Sequence, residues 1–128
     1  MIFGIGCDIV KISRFKRLVS SGGFIERYFA SEEFLDKKCT EPKILLEHYA
    51  VRFAAKEAFS KALGTGLAPF KLKEIYVKKE KSGRPLLLLK GNALDFFYKA
   101  AGKNAKIHLS LSHEEEYAMA YVLIENDA

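Results

Sequence analysis

Cysteine and histidine are scarce in this chain of 128 residues, two of one and three of the other, and none stands at zinc-ligand spacing. A zinc site is excluded on that count. Cys7 and Cys39 allow one bridge at most, and both are expected to be reduced, buried and structural. No apolar run approaches the length that spans a bilayer, there is no low-complexity tract, and Met1 runs directly into "IFGIG" without the charged leader of a secretory signal. The cytoplasm is the expected compartment. The common nucleotide-binding motifs are missing too. "GIGCDI" has Ile9 where the dinucleotide fingerprint needs a third glycine, no Walker lysine motif occurs, and serine, histidine and aspartate are present without a nucleophile elbow.

What is present describes a globular protein, 49% apolar and 29% charged. A chain of this length makes one domain, residues 1–128, too small to enclose two bulky substrates unaided, so an oligomer is worth expecting. The net charge of +5 is modest but uneven. Lys11, Arg14, Lys16, Arg17 and Arg27 are offset nearby by Glu26 alone, and Lys71, Lys73, Lys78, Lys79, Lys81, Arg84 and Lys90 by Glu74 and Glu80. Such basic surfaces are either solvated faces or the footprint of an acidic partner or a polyphosphate.

The periodicities predict an α+β fold with a mostly antiparallel sheet packed on a long central helix. "MIFGIGCDIV" alternates as a strand, with Gly4, Gly6 and Asp8 on one side, so that something can approach the backbone there. Ser13 is expected to cap a short helix burying Phe15, Leu18 and Val19; "FIERYF" and "SEEFLDKK" read as further short helices, the second capped by Ser31 with Lys37 and Lys38 at its end. Pro42 opens the long helix and Gly64 stops it. "LKEIYVKKE" and "PLLLLK" form a hairpin, Asn92 caps a helix ended by Gly102, and "KIHLSLS" and "YAMAYVLIE" form a second hairpin.

In the stretch "RFAAKEAFSKALGTG" the alanines share one helical face, with Lys56, Glu57, Ser60 and Lys61 expected on the other. Glu57 and Lys61 are either an exposed ion pair or part of a polar site, and Asp8 is either a turn cap or a carboxylate awaiting a cation. Together Asp8 and Glu57 supply hard oxygen ligands of the kind that hold Mg²⁺, and Lys61 one turn on would add an ammonium for a diphosphate. In "SLSH", Ser110 and Ser112 share a strand face and His113 stands at the turn, where hydroxyls and an imidazole can meet phosphate or sugar oxygens; His48 and His108 are read as solvated.

In "GIGCDIV", "RFAAKEAFSKALGTG", "SGRP" and "LSLSHEEEYAMAYV", taken in order, the chain resembles the holo-[acyl-carrier-protein] synthase family, the small bacterial 4′-phosphopantetheinyl transferases. The likeness runs over essentially the whole chain. It implies transfer of phosphopantetheine from coenzyme A to a serine of an apo acyl carrier protein, releasing adenosine 3′,5′-bisphosphate, by a trimer with active sites between protomers. It further implies Asp8 and Glu57 as Mg²⁺ ligands, Lys61 on the coenzyme A phosphates, and Gly64, Gly66, Ser112 and His113 in the nucleotide site. Arg14 and its basic neighbours, Arg17 among them, match the helix that meets the acidic carrier. The position after "GIGCDIV", often acidic in the family, is Lys11 here. Glu57, directly or through a water, is the first candidate for the base that takes the serine proton, and Glu33 the second. The competing readings are a basic nucleic-acid-binding module using Tyr76, Phe96, Phe97 and Tyr98, a Mg²⁺-dependent diphosphate hydrolase, and a structural oligomer without activity.

Overall fold

The computed structural model describes residues 1–36 and 38–127. Its spine is helix α3, Pro42–Leu63. Proline at the first turn sacrifices no hydrogen bond there, and Gly64 ends the helix in the left-handed conformation (φ 84°), its N–H bonded to the Lys61 and Ser60 carbonyls. Strands β1 (Ile2–Lys11), β4 (Lys106–His113) and β5 (Tyr117–Glu125) form an antiparallel sheet in the order β1-β5-β4. Strands β2 (Ile75–Lys79) and β3 (Pro85–Leu89) form a separate hairpin. Short helices α1 (Phe15–Ser20) and α2 (Phe24–Tyr28) follow β1, and α4 (Gly91–Ala101) joins the hairpin to β4. No helix among the described residues is long and apolar enough to cross a membrane.

What approaches the glycine-cleared face of β1 is α3 itself. A Cβ on Gly6 would stand 2.1 Å from the Ala58 carbonyl oxygen, and one on Gly4 would stand 1.9 Å from that of Ala62. Only glycine opposite alanine lets helix and strand lie this close. The same sheet face adds Ala118, Ala120, Val122 and Ile124 from β5, all fully buried, so the core is the seam between α3 and the sheet. Phe15 edge-on to Phe53 (centroids 5.5 Å) seats α1 on the same helix.

Several local expectations are corrected. The other face of β1, carrying Phe3, Ile5, Cys7 and Ile9, is exposed, so Cys7 is a free, accessible thiol rather than a buried one. Ser13 lies in a 3-10 turn, Ile12–Arg14, and caps nothing; Leu18 is exposed. Among the described residues of "SEEFLDKK" only one 3-10 turn forms, Ser31–Glu33, without a cap from Ser31; Lys37 lies outside the described residues. Asn92 sits inside α4, and its backbone N–H is capped instead by the Glu74 carboxylate at 2.9 Å. Lys56 and Ser60, expected on the polar face of α3, are buried.

Candidate active site

Because Gly6 brings β1 onto α3 at Ala58, the next side chain on that face, Asp8, arrives beside the C-terminal turns of α3. Lys61 donates to the Asp8 carboxylate at 3.1 Å and to the Cys7 carbonyl at 3.0 Å. Glu57, one turn earlier on the helix, completes the group. Partial burial pushes its carboxyl above the ordinary glutamate value, the charge of Asp8 adds to this, and Lys61 offsets part of it. Two carboxylates thus lie near enough to feel each other's charge, and the one ammonium in the group, half exposed, is bonded to Asp8. An exposed pair of that kind contributes about 0–1 kcal/mol, too little to account for placing Glu57 against a like charge.

The donor set fits a hard divalent cation. Among the described residues no three His, Cys, Asp or Glu side chains converge into an all-protein cage. Two carboxylates are what Mg²⁺ takes when water and substrate phosphates fill its other positions. Gly64 and Gly66 follow directly, both at positive φ (84° and 68°), forming the open loop beyond Lys61.

The remaining expected residues lie elsewhere on the chain. Successive residues of β4 point to opposite faces: Ser112, paired with Met119, is on the outer face of the sheet, whereas His113, paired with Ala118, turns toward α3, with Nδ1 4.0 Å from Glu47. Glu47 and Glu57 are ten residues apart on α3, or about 15 Å along its axis. His113 there lines a cavity of about 350 Å³, with His48, Arg52, Lys79, Gly83 and Pro85 among the other lining residues; Asp8, Glu57 and Lys61 do not reach it. Arg14 and Arg17 stand exposed at the start and middle of α1.

Sequence reasoning missed this cavity's charge. Arg52 is buried, donates to the His48 carbonyl at 3.3 Å and leaves Nε without a partner. Burial, with Arg52 nearby, pushes His48 down to about 4, so it is neutral near pH 7 rather than a solvated, titrating histidine. Glu33 is removed as a base: fully buried, it accepts from Lys56 Nζ at 2.6 Å and from the Ala30 and Val77 backbone N–H groups at 3.1 Å each. The aromatics of the nucleic-acid reading form no stacking platform on a strand. Phe97 is buried, Phe96 packs edge-on to Phe70 and Tyr76 lies under Lys90.

A sheet of this order wrapped on one helix, with paired carboxylates and a lysine at the seam, defines the class of protein. The family model of the 4′-phosphopantetheinyl transferase superfamily matches residues 4–122, and the chain belongs to that superfamily. Within it the chain is similar to holo-[acyl-carrier-protein] synthases. That of Treponema denticola is 48% identical over 125 residues, covering 98% of this chain and 99% of the relative; that of Clostridium tetani is 43% identical over 128 residues, covering 99% and 98%. The crystal structure of the Bacillus anthracis synthase in complex with CoA (3′,5′-ADP) superimposes with a TM-score of 0.81 at 34% identity, covering 99% of both chains.

Proposed function

We propose that this chain transfers the 4′-phosphopantetheine group of coenzyme A to a serine of an apo acyl carrier protein and releases adenosine 3′,5′-bisphosphate. The observation that carries the reading is the meeting of Asp8, Glu57 and Lys61, with Glu57 held against a like charge. Asp8 and Glu57 would hold Mg²⁺. When bound, it would supply Lewis-acid stabilisation of the charge on the diphosphate.

The chain's own groups supply the rest. Glu57 takes the serine proton, directly or through a water. The serine oxygen forms a bond to the phosphorus attached to pantetheine as the bond from that phosphorus to the bridging oxygen breaks, and the nucleotide leaves with the electron pair. Lys61, its side chain half exposed, turns to neutralise the leaving phosphate. Gly64 and Gly66 keep side chains away from the phosphates.

The cavity lined by Arg52, His48, Lys79 and His113 suits the adenosine end of coenzyme A, with cationic side chains in its wall for a phosphate. Because Asp8, Glu57 and Lys61 do not line this cavity, a site joining the two is best built across two protomers. The outer sheet face supports this. Ile5 (55% exposed) and Ile9 (62%), with Tyr117, Met119 and Tyr121, form an apolar surface larger than scattered exposure explains, and Ser112 stands within it. A homotrimer in the cytoplasm, acting on an acidic carrier guided by Arg14 and Arg17, is the assembly proposed.

The test mixes the protein with coenzyme A, Mg²⁺ and an apo carrier protein and measures the carrier's intact mass. A gain of one phosphopantetheine supports the reading. Hydrolysis of coenzyme A without transfer would instead favour a diphosphate hydrolase.

A further inference from the structure

Next to Glu57 on α3 stands Lys56, with no exposed surface and all three of its ammonium donors used. Its Nζ donates to Glu33 Oε1 at 2.6 Å, to the Leu72 carbonyl at 3.0 Å and to the Ile75 carbonyl, and it lies 5.1 Å from the Phe29 ring centroid. Glu33 is equally enclosed. Its Oε1 also accepts from Ala30 N–H, its Oε2 accepts from Val77 N–H, and its backbone carbonyl meets His48 Nε2 at 2.5 Å. The pair therefore ties α3 at two points to the turn after α2 and to the start of β2.

An ordinary stability role explains this poorly, because a buried ion pair often does no better than well-packed apolar residues of similar volume. Such networks instead fix one arrangement. On its opposite side α3 is held by the Gly4 and Gly6 seam against Ala62 and Ala58, where the directional bonds are those of one half-exposed side chain, Lys61 to the Cys7 carbonyl and the Asp8 carboxylate. A seam of small residues sets how near the helix lies but resists rotation weakly. Side-chain tips stand about 5–6 Å from a helix axis, so a rotation of about 20° would carry the Glu57 carboxylate about 2 Å from its place beside Asp8.

We infer that the Lys56–Glu33 pair is a positioning device that sets the rotation and register of α3, and thereby the spacing of the Glu57 and Asp8 carboxylates. The inference rests on the proposed metal-binding role of those two groups. It is tested with the double variant Lys56→Met, Glu33→Gln, which removes both charges together and leaves no uncompensated ion. Mn²⁺ binding is followed by electron paramagnetic resonance without substrates, and kcat and the KM values are measured at a temperature where circular dichroism shows the variant folded. The expected result is a cooperative fold with Mn²⁺ affinity and kcat both lowered about tenfold or more, in the range seen when the supports of metal ligands are removed, and with KM for the carrier unchanged. If the double variant gives no cooperative transition, Glu33→Asp, which keeps both charges but shortens the tie to Lys56, is read in the same way. A folded variant with wild-type Mn²⁺ affinity and kcat overturns the inference and leaves the ligand assignment standing. A wild-type protein that binds no Mn²⁺ overturns both.

Discussion

Replacing Gly6 by alanine tests whether the close approach of β1 and α3 sets the site. The added Cβ would lie 2.1 Å from the Ala58 carbonyl oxygen, 2.6 Å from the Ala62 nitrogen and 2.9 Å from the Lys61 Cβ. Two of these atoms are helix backbone and cannot swing aside. Opening the shortest contact to 3.4 Å, where ordinary packing begins, moves helix and strand apart by about 1.3 Å. Overpacking of this order costs about 1–3 kcal/mol, and at this chain length that lowers Tm by about 4–11 °C. The same displacement separates Asp8 from Glu57 and Lys61. A misplacement near 1 Å can cost about 10²-fold in rate, so activity should fall further than stability does. Thermal unfolding by circular dichroism and the carrier mass assay, both run below the lowered Tm, read the two effects. Gly22→Ala, with nothing within 4 Å of the new Cβ, serves as the control and should match wild type in rate. Gly6→Ala with unchanged Tm and rate would refute the reasoning.

Glu57 gives a pH signature. Its folded carboxyl titrates above the ordinary 4.5, so the folded state holds its proton longer than the unfolded chain does, and the associated stability, complete below pH 4.5, is lost as pH rises through the folded value. Without divalent cations, Glu57→Gln should therefore gain in Tm relative to wild type as pH rises toward neutrality, and Mg²⁺ should raise Tm for wild type only; a pH-independent difference contradicts this. Arg14→Glu with Arg17→Glu should raise KM for the carrier several-fold and flatten its salt dependence while KM for coenzyme A holds; equal changes in both would remove α1 from the docking surface. Ile9→Glu on the outer sheet face should shift the sedimentation coefficient to that of a monomer and lose activity with it, whereas an unchanged assembly would place the protomer contact elsewhere.

Where one residue type has one dominant physical use, the sequence was enough. Pro42 and Gly64 bound α3, glycines opposite alanines bring β1 onto it, and alternation over 106–125 makes the second hairpin. The helix face of Glu57 and Lys61, and the side of β1 carrying Asp8, followed from the same periodicities. What periodicity cannot reveal is a polar residue whose partner is distant in the chain. Lys56 looked solvated because its partner Glu33 is 23 residues earlier and its other acceptors are the backbone carbonyls of Leu72 and Ile75. Arg52 was overlooked for the same reason. Ser13, Ser31 and Asn92 were good capping types, yet the turn from β1 overtook the first, a single 3-10 turn replaced the helix expected after the second, and the Glu74 carboxylate supplied the cap expected of the third. Cys7 is exposed because the apolar alternation of β1 faces outward, a pattern a second protomer would explain.

The most direct test is a crystal of the protein grown with coenzyme A and Mn²⁺, read by the anomalous signal of the metal. One peak should lie within bonding distance of carboxylate oxygens from both Asp8 and Glu57 and of the diphosphate, with Lys61 Nζ on the phosphate. A peak bound by other residues, or by the diphosphate with either carboxylate turned away, would contradict the account.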